Sequence, residues 1–284
     1  MVEPLQAVAQ AGQLQDDPTA PAIVAAGVER VFGTGEDAVH ALGPLDLEVP
    51  TGEFLSIVGP SGCGKSTFLR ILAGLINPTA GRVDMTRRSD SGRLCAMVFQ
   101  DYAIYPWKTV EANVRLALDL EGVPRQEANE RVHHWLAKLG IADFAQARPA
   151  ALSGGMRQRV SIARALAAEP DILLMDEPFA ALDAQLREVL QDELLRLWEA
   201  DRRTVVFITH SIDEALVLSD RVAVMSHRPG VLLSEHVVPL PRPRDADVRS
   251  DPAFAALRSR IWQELRSEVD QSSQAQATHR GAQQ

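Results

Sequence analysis

Eight residues in the first quarter of the chain, Gly59–Ser66, have the spacing G-x-x-x-x-G-K-S. Glycines at this spacing let the backbone curl so that successive N–H groups point inward at an anion. The apolar run Phe54–Val58 precedes the loop, and helical spacing follows it over Ser66–Ala73. This strand–loop–helix order predicts a phosphate-binding loop, with Lys65 on the β- and γ-phosphates and the Ser66 hydroxyl on Mg²⁺. The predicted nucleotide contacts in the loop are Gly59, Pro60, Ser61, Gly62, Cys63, Gly64, Lys65, Ser66 and Thr67.

A second group of chemically suited residues ends another apolar run. Ile172–Met175 is followed by two acids, Asp176 and Glu177. Open parallel sheets bind ligands at the carboxyl ends of their strands, where these two acids would lie. Asp176 is predicted to hold Mg²⁺, and Glu177 to act as general base toward the attacking water. Strands often end in acids, so the pair indicates nucleotide hydrolysis only together with the phosphate loop.

The string Leu152–Arg159, LSGGMRQR, narrows the class of nucleotide-binding protein. It resembles the LSGGQ signature of ATP-binding-cassette (ABC) ATPases, and it precedes the acidic strand as in that family. A serine, two glycines and a helix start with free N–H groups make a second anion site. Taken alone, the string is also explained by Ser153 capping a helix after a glycine loop. In this context we interpret Ser153, Gly154 and Gly155 as ATP contacts.

The resemblance extends to further residues in the order that the family has. Gln100 resembles the Q-loop glutamine that senses Mg²⁺ and the attacking water, and Asp183 ends a string, Ala181–Asp183, that resembles the D-loop. His210 resembles the switch histidine that contacts the γ-phosphate, and Phe32 resembles the aromatic residue on which adenine stacks. Without the other motifs, Gln100 and His210 would be interpreted as polar residues at strand ends that bind no ligand. Phe32 would be interpreted as a core residue.

The resemblance assigns these residues to roles. The implied catalytic residues are Lys65, Gln100, Glu177 and His210. The implied Mg²⁺ ligands are Ser66, Gln100 and Asp176.

Within the family, the residues of these motifs are most similar to those of ATPase subunits of nitrate/sulfonate/taurine importers. Pro106–Trp107, Asp220–Val222 and Pro229–Gly230 add to this resemblance. Departures are small: Met156 replaces the common glutamine of the signature, and Phe32 replaces a frequent tyrosine.

The resemblance implies a mechanism shared between two copies of the chain, which bind ATP head to tail. It also implies a transmembrane permease, a periplasmic or lipid-anchored solute-binding protein, and a place on the cytoplasmic face of the cell membrane. The implied function is uptake of a small anion such as nitrate, a sulfonate or taurine. The alternative is an ABC-type ATPase that drives another substrate or a process other than transport.

The segment 101–107, DYAIYPW, is unusually aromatic for a chain with 5% aromatic residues. Tyr102, Tyr105 and Trp107 are predicted to receive a cytoplasmic helix of the permease. The alternative is that these rings belong to the core of a helical subdomain.

The elements that position these residues alternate between strands and helices. Further apolar runs at Ala96–Phe99, Val205–Ile208 and Val222–Met225 predict buried strands. The pattern predicts an α/β fold, a P-loop NTPase core with a mostly parallel sheet. Between about Val110 and Ala168 only helical patterns occur, which predicts a helical subdomain inserted at about 101–165. The resemblance adds an antiparallel β-subdomain near the N-terminus.

Composition divides the chain further. Residues 1–21 and 271–284 are predicted to be disordered tails, and 22–240 to form the ATPase domain. A C-terminal helical extension is predicted over 241–270. Its apolar stripe consists of Phe254, Leu257, Ile261 and Leu265.

Charge and cysteine content exclude several classes. The chain has 284 residues, 29 basic against 38 acidic, and this net charge of −9 argues against broad nucleic-acid binding. No run of eighteen apolar residues occurs, and Met1–Ala22 lacks the pattern of a signal peptide. Two cysteines, Cys63 and Cys95, are too few for a disulfide framework and indicate a reducing cytosol. Cys63 is either a thiolate favoured by the loop's positive field or a small buried residue without chemistry.

Other P-loop classes fit less well. A cassette ATPase of DNA repair would carry a long coiled coil between its halves, whereas the 111 positions from Lys65 to Asp176 contain no heptads. A ribosome-binding cassette protein would normally have two cassettes, and a metabolic kinase needs neither the signature nor the histidine.

Overall fold

The structure is a computed structural model and describes residues 21–87, 93–180, 182–244 and 246–281. It divides into two compact units. The first unit contains residues up to 87 and from 206 onward, and the second contains residues 88–205.

The described residues form nine β-strands and seven α-helices. The strands are β1 (Pro21–Phe32), β2 (Val39–Pro50), β3 (Phe54–Val58), β4 (Ala80–Met85), β5 (Cys95–Val98), β6 (Ile172–Asp176), β7 (Thr204–Ile208), β8 (Arg221–Met225) and β9 (Leu232–Val237). The helices are α1 (Lys65–Leu72), α2 (Val110–Leu120), α3 (Arg125–Lys138), α4 (Gly154–Ala167), α5 (Ala184–Asp201), α6 (Ile212–Leu218) and α7 (Pro252–Gly281).

A three-stranded antiparallel sheet begins the first unit and has the order β2-β1-β4. Ile23 of β1 pairs with Val49 on one side and with Met85 on the other. Along β2 the alternate residues Leu45, Leu47 and Val49 are buried while their neighbours are exposed, as expected for a sheet with one solvated face. The antiparallel β-subdomain implied by the resemblance is confirmed.

The rest of the first unit contains the strand that leads into the phosphate loop. β3 pairs in parallel with β8, from Leu55 opposite Arg221 to Val58 opposite Val224. β9 pairs with β8 in antiparallel orientation. All five residues of β3 are buried, which explains why the strand is a continuous apolar run except for Ser56.

The C-terminal helix α7 packs on α6 and β8. The predicted stripe is confirmed: Phe254, Leu257 and Ile261 are buried in one cluster, and Leu265 packs against it. The helix continues to Gly281, whereas the composition of residues 271–284 predicts a tail without regular structure. Alanine and glutamine are good helix formers, and neither glycine nor proline interrupts this stretch before Gly281.

The second unit carries a parallel strand pair and the helical subdomain. β5 and β6 run in parallel, with Cys95 opposite Ile172 and Val98 opposite Met175. Between them in sequence, α2, α3 and α4 pack on one another. The α/β class, the mostly parallel sheet and the helical insertion are therefore confirmed.

Parts of the predicted tails and of the D-loop string lie outside the residues that the structure describes. Of the predicted tails, residues 1–20 and 282–284 lie outside the described residues, and Pro21 already begins β1. Ala181 of the D-loop string is also outside them. Among the helices that are described, none has an apolar stretch long enough to cross a membrane.

Candidate active site

In the first unit, β3 leads into the glycine-rich loop, and α1 begins at the far end of the loop. Lys65 is only 5% exposed, and its Nζ donates hydrogen bonds to the carbonyl oxygens of Gly59 (2.8 Å) and Pro60 (2.9 Å). The loop therefore curls around the ammonium group. A buried positive charge at the N-terminus of α1 favours an anion, as a phosphate site requires. Ser66 and Thr67 lie half-buried in the first turn of the same helix.

The loop can approach its neighbours because two of the residues involved lack side chains. Gly64 has φ 110°, and a β-carbon there would lie 2.5 Å from the carbonyl oxygen of Ala41 in β2. Behind the loop, a β-carbon on Gly230 would lie 2.0 Å from the carbonyl oxygen of Cys63. Gly43 N–H donates to the Gly230 carbonyl oxygen at 2.9 Å. β2 and the turn before β9 thus support the loop from behind.

Cys63 is buried inside the loop. Its Sγ lies 3.9 Å from Lys65 Nζ. Burial raises the pKa of the Cys63 thiol, and the opposing effect of Lys65 is smaller. Of the two interpretations above, the structure favours the small buried residue.

His210 follows β7 and is exposed, while its neighbours are fixed. The Thr209 hydroxyl donates to Glu214 Oε2 at 2.6 Å, and Ser211 N–H donates to Thr209 Oγ1 at 3.0 Å. Thr209 N–H donates to the carbonyl oxygen of Ile57 at 3.2 Å, two residues before the phosphate loop begins. The first unit therefore brings His210 and the loop to the same edge of the sheet.

Phe32 ends β1 and is 39% exposed, which excludes the interpretation as a core residue. The Arg30 guanidinium lies over the ring, 4.6 Å from its centroid. Arg30 Nη1 also donates to the carbonyl oxygen of Asn77 at 2.9 Å. The arginine is thereby fixed beside a ring that presents surface for a planar base.

In the second unit, the parallel register of β5 and β6 places two side chains together. Val98 is opposite Met175, and Gln100 and Glu177 each follow two residues later. Gln100 Nε2 donates to Glu177 Oε2 at 3.4 Å. Asp176, at the end of β6, is only 3% exposed. Glu177 is half-buried and has φ 44°, in the left-handed region. Its backbone is therefore strained, as is common for residues at functional sites.

The signature and D-loop residues of the second unit begin helices. Ser153 caps α4, with its Oγ accepting from Met156 N–H at 3.3 Å, and Asp183 caps α5 by accepting from Leu186 N–H at 2.9 Å. Both capping residues are exposed. A β-carbon on Gly155 would lie 2.1 Å from Leu186 Cδ2, which explains the need for glycine there. The capping interpretation of Ser153 is correct, and its exposure is compatible with a ligand as well.

Comparisons with known proteins identify the family. A family model described as ABC transporter matches residues 42–180. The nitrate import ATP-binding protein NrtD of Synechocystis sp. is 39% identical over 259 residues, which cover 88% of this chain and 97% of that protein. This chain belongs to the ABC transporter family.

Two further similarities support the assignment of this ABC ATPase. The bicarbonate transport ATP-binding protein CmpD of Synechocystis sp. is 42% identical over 250 residues, 86% of this chain and 89% of that protein. A dimeric structure of an ATP-binding cassette in a post-hydrolysis state, bound to ADP and Pi, matches with a TM-score of 0.68 and 34% identity. That match covers 77% of this chain and 100% of the other. The chain is thus an ATP-binding, ATP-hydrolysing subunit of the ABC type.

The predicted site residues of the ABC ATPase form two groups, one in each unit. The first unit holds Phe32, residues 59–67 and His210. The second unit holds Gln100, Ser153, Gly154, Gly155, Asp176, Glu177 and Asp183.

The aromatic segment 101–107 is largely at the surface of the second unit. Trp107 is 68% exposed and packs edge-on against Tyr105, which is itself exposed, whereas Tyr102 is half-buried. Asn113 of α2 is fully buried and holds this segment: its Oδ1 accepts from Tyr105 N–H at 2.7 Å, and its Nδ2 donates to the carbonyl oxygen of Tyr105 at 3.1 Å. The core alternative is therefore wrong for Trp107 and Tyr105.

Sequence reasoning missed the residues that hold the site in place. Asn113 and Glu214 are buried polar side chains within helical patterns, and only their polarity at core positions sets them apart. Arg164 of α4 donates to the carbonyl oxygens of Tyr102 and Ala103, which lie 62 and 61 residues away in sequence. No local sequence pattern predicts that contact.

Proposed function

We propose that this ABC ATPase powers an importer of a small anion, together with a separate permease and a solute-binding protein outside the membrane. Two copies would act head to tail on the cytoplasmic face of the membrane. The assignment of ATP hydrolysis rests on the contact between Gln100 and Glu177 beside the buried Asp176. It provides a carboxylate base with an amide partner at the carboxyl ends of two parallel strands.

Each residue has a task in hydrolysis. Lys65 and the loop amides bind the phosphates, and Gln100 orients the water. Glu177 accepts a proton from that water while the water oxygen attacks the γ-phosphorus. The bond from the γ-phosphorus to the bridging oxygen breaks, and ADP and phosphate are the products. His210 contacts the γ-phosphate from the neighbouring strand end.

The donors proposed for Mg²⁺ suit that ion. The Ser66 hydroxyl, the Asp176 carboxylate and the Gln100 amide offer hard oxygen ligands, which Mg²⁺ prefers alongside phosphate oxygens. When bound, the ion would neutralise phosphate charge.

The signature segment supports a shared site. Ser153 is exposed at the N-terminus of α4, and the helix has fourteen residues, enough for a macrodipole that attracts phosphate. In the proposed dimer, this helix start caps the γ-phosphate held by the loop of the other copy.

The choice of a small anion rests on relatives and on the sequence resemblance. Proteins named for nitrate import and for bicarbonate transport are similar to this chain over nearly their whole length. Nitrate, sulfonates and taurine, or a related ion, are therefore the proposed cargo. The alternative, an ABC ATPase that drives another substrate or another process, differs in its partners and not in its ATP chemistry.

Glu177→Gln tests the hydrolytic assignment. The amide cannot accept a proton, so turnover should fall by a factor of at least about 100 while ATP binding persists. The variant should also accumulate as a dimer with ATP on size-exclusion chromatography, because the clamp does not reopen. Glu127→Gln, an exposed carboxylate of α3 bonded to Arg131, is the control and should keep the wild-type rate. Near wild-type hydrolysis by Glu177→Gln would contradict the assignment.

The cargo is tested on the assembled complex with its solute-binding protein. Thermal shifts are measured with nitrate, bicarbonate, taurine and an alkylsulfonate, with a neutral sugar as control. A shift for an anion that also stimulates ATP hydrolysis supports the proposal. Stimulation by the sugar alone would refute the anion while leaving the ATPase assignment intact.

A further inference from the structure

Arg164 makes an unusual contact within the second unit. It lies in the last turn of α4, and its guanidinium donates to two successive backbone carbonyls: Nη1 to Ala103 (2.6 Å) and Nη2 to Tyr102 (3.1 Å). The side chain is largely removed from water, which lowers the pKa of the Arg164 guanidinium. A charged donor with two carbonyl acceptors makes stronger hydrogen bonds than a neutral donor does. Truncation would leave both carbonyls without these bonds.

The backbone that Arg164 binds is strained. Tyr102 has φ 59° and Ala103 has φ 47°, so two consecutive residues with side chains lie in the left-handed region, which is unfavourable for L-residues. Tyr102 N–H donates to the Phe99 carbonyl oxygen at 3.2 Å, and Ala103 N–H donates to that of Asp101 at 2.6 Å. The bend therefore encloses Gln100, which lies between the first acceptor and Asp101.

The same helix also reaches this bend from its other end. The Tyr102 hydroxyl lies 3.5 Å from the place where a β-carbon on Gly154 would be. Gly154 begins α4, and Arg164 lies ten residues later, about 15 Å along the axis. One rigid helix thus contacts the bend both at the signature glycine and at its last turn.

We propose that Arg164 is a positioning residue for Gln100: it holds the Tyr102–Ala103 bend so that the Gln100 amide stays in reach of Glu177. Through α4 it also ties the signature segment to the Q-loop. This inference rests on the proposed function, in which Gln100 takes part in hydrolysis. Arg164 itself touches neither nucleotide nor water in this scheme.

A double-mutant cycle on the full-length chain separates positioning from general support of the fold. Arg164→Met should lower kcat for ATP hydrolysis about tenfold and leave KM for ATP within about twofold. Gln100→Ala should lower kcat as well. Because both changes remove the same alignment, the double variant should be no more than about twofold slower than Gln100→Ala alone.

Arg159→Met is the matched control. Arg159 lies on the same helix, and its Nη1 donates to the carbonyl oxygen of Leu139 at 3.0 Å, outside the Q-loop. In the double variant Arg159→Met/Gln100→Ala, the fold-changes in kcat of the two single variants should multiply, because the two residues contact different parts of the unit.

Two rescue variants probe the strain directly. Arg164→Lys keeps a donor but lacks the two-pronged geometry, so its kcat should lie between those of the wild type and Arg164→Met. Ala103 is exposed, and Ala103→Gly adopts the left-handed backbone at lower cost. Added to Arg164→Met, Ala103→Gly should therefore restore part of kcat. If Arg164→Met does not fold, the cycle is run with Arg164→Lys on the same criterion.

The possible outcomes distinguish a failure of the positioning role of Arg164 from a failure of the proposed function. Multiplying effects of Arg164→Met and Gln100→Ala, or an unchanged kcat in the folded Arg164 variants, overturn the positioning role and leave the proposed function standing. Normal hydrolysis by Gln100→Ala overturns the role of Gln100, and the inference falls with it.

Discussion

The phosphate loop has no room behind it at Gly230, where a β-carbon would lie 2.0 Å from the Cys63 carbonyl oxygen. Gly230→Ala should therefore push the loop out of place. We expect it to destabilise the protein by about 1–3 kcal/mol, as overpacking does, and to weaken ATP binding as well. Thermal unfolding and nucleotide titration of the same variant measure the two effects.

Gly122→Ala is the control for this substitution. Gly122 has φ 72°, and a β-carbon there would have no atom within 4 Å, so alanine adds backbone strain alone, roughly 1 kcal/mol. It should lower the unfolding temperature without changing ATP affinity. Unchanged ATP affinity in Gly230→Ala would show that the loop tolerates the displacement.

At the scale of elements, the aromatic segment 101–107 is a shaped surface held from two sides. Asn113 of α2 fixes Tyr105 and Arg164 of α4 fixes Tyr102, while Trp107 remains 68% exposed. A fixed, exposed indole is the kind of anchor that contributes most at protein interfaces. Its position seven residues after Gln100 would let a docked permease helix respond to the nucleotide state.

Trp107→Ala should weaken association with the permease about thirtyfold, if the anchor contributes about 2 kcal/mol. Because the ring is exposed, the unfolding temperature of the isolated subunit should hardly change. Trp262 of α7, 58% exposed, supplies a matched control, and Trp262→Ala should retain association. Co-purification of tagged subunit with permease measures both variants. Equal retention by the two would place the docking surface elsewhere.

At the scale of the whole molecule, the proposed head-to-tail dimer predicts complementation between inactive variants. Lys65→Ala removes the phosphate contact of the loop, and Ser153→Arg places bulk at the signature. In a mixed dimer, the intact loop of one copy meets the intact signature of the other. An equimolar mixture should thus recover up to about half of the wild-type rate, because each mixed dimer has one intact site of two.

Each variant alone provides the control for complementation. Lys65→Ala should lose ATP affinity as a monomer, whereas Ser153→Arg should keep monomer binding and fail to dimerise. The rate is measured as a function of the mixing ratio, with a maximum at equal amounts. A mixture no more active than its components would mean that each site lies within a single chain.

Some strands of this fold are predictable from their residues and others are not. Buried strands such as β3 and β6 are recognisable because both of their faces are covered, which makes them short apolar runs. β2 is not recognisable from its residues in the same way, because one face is solvated and its apolar residues alternate with polar ones. The antiparallel sheet is instead implied by the family resemblance. The last turns of α7 are polar, so no apolar stripe in the sequence indicates where that helix ends.

The glycine spacing of the phosphate loop, the acids after β6 and the LSGG string are local patterns with local physical reasons, so they are predictable from the residues alone. Which other side chains hold these segments in place depends on tertiary packing. Gln100 meets Glu177 because β5 and β6 share a register, and Gly230 lies behind Cys63 because a turn packs there. Arg164 reaches Tyr102 across 62 residues. Such contacts depend on how distant elements pack, and a helical arginine or a turn glycine has the same local pattern whether or not a partner lies opposite.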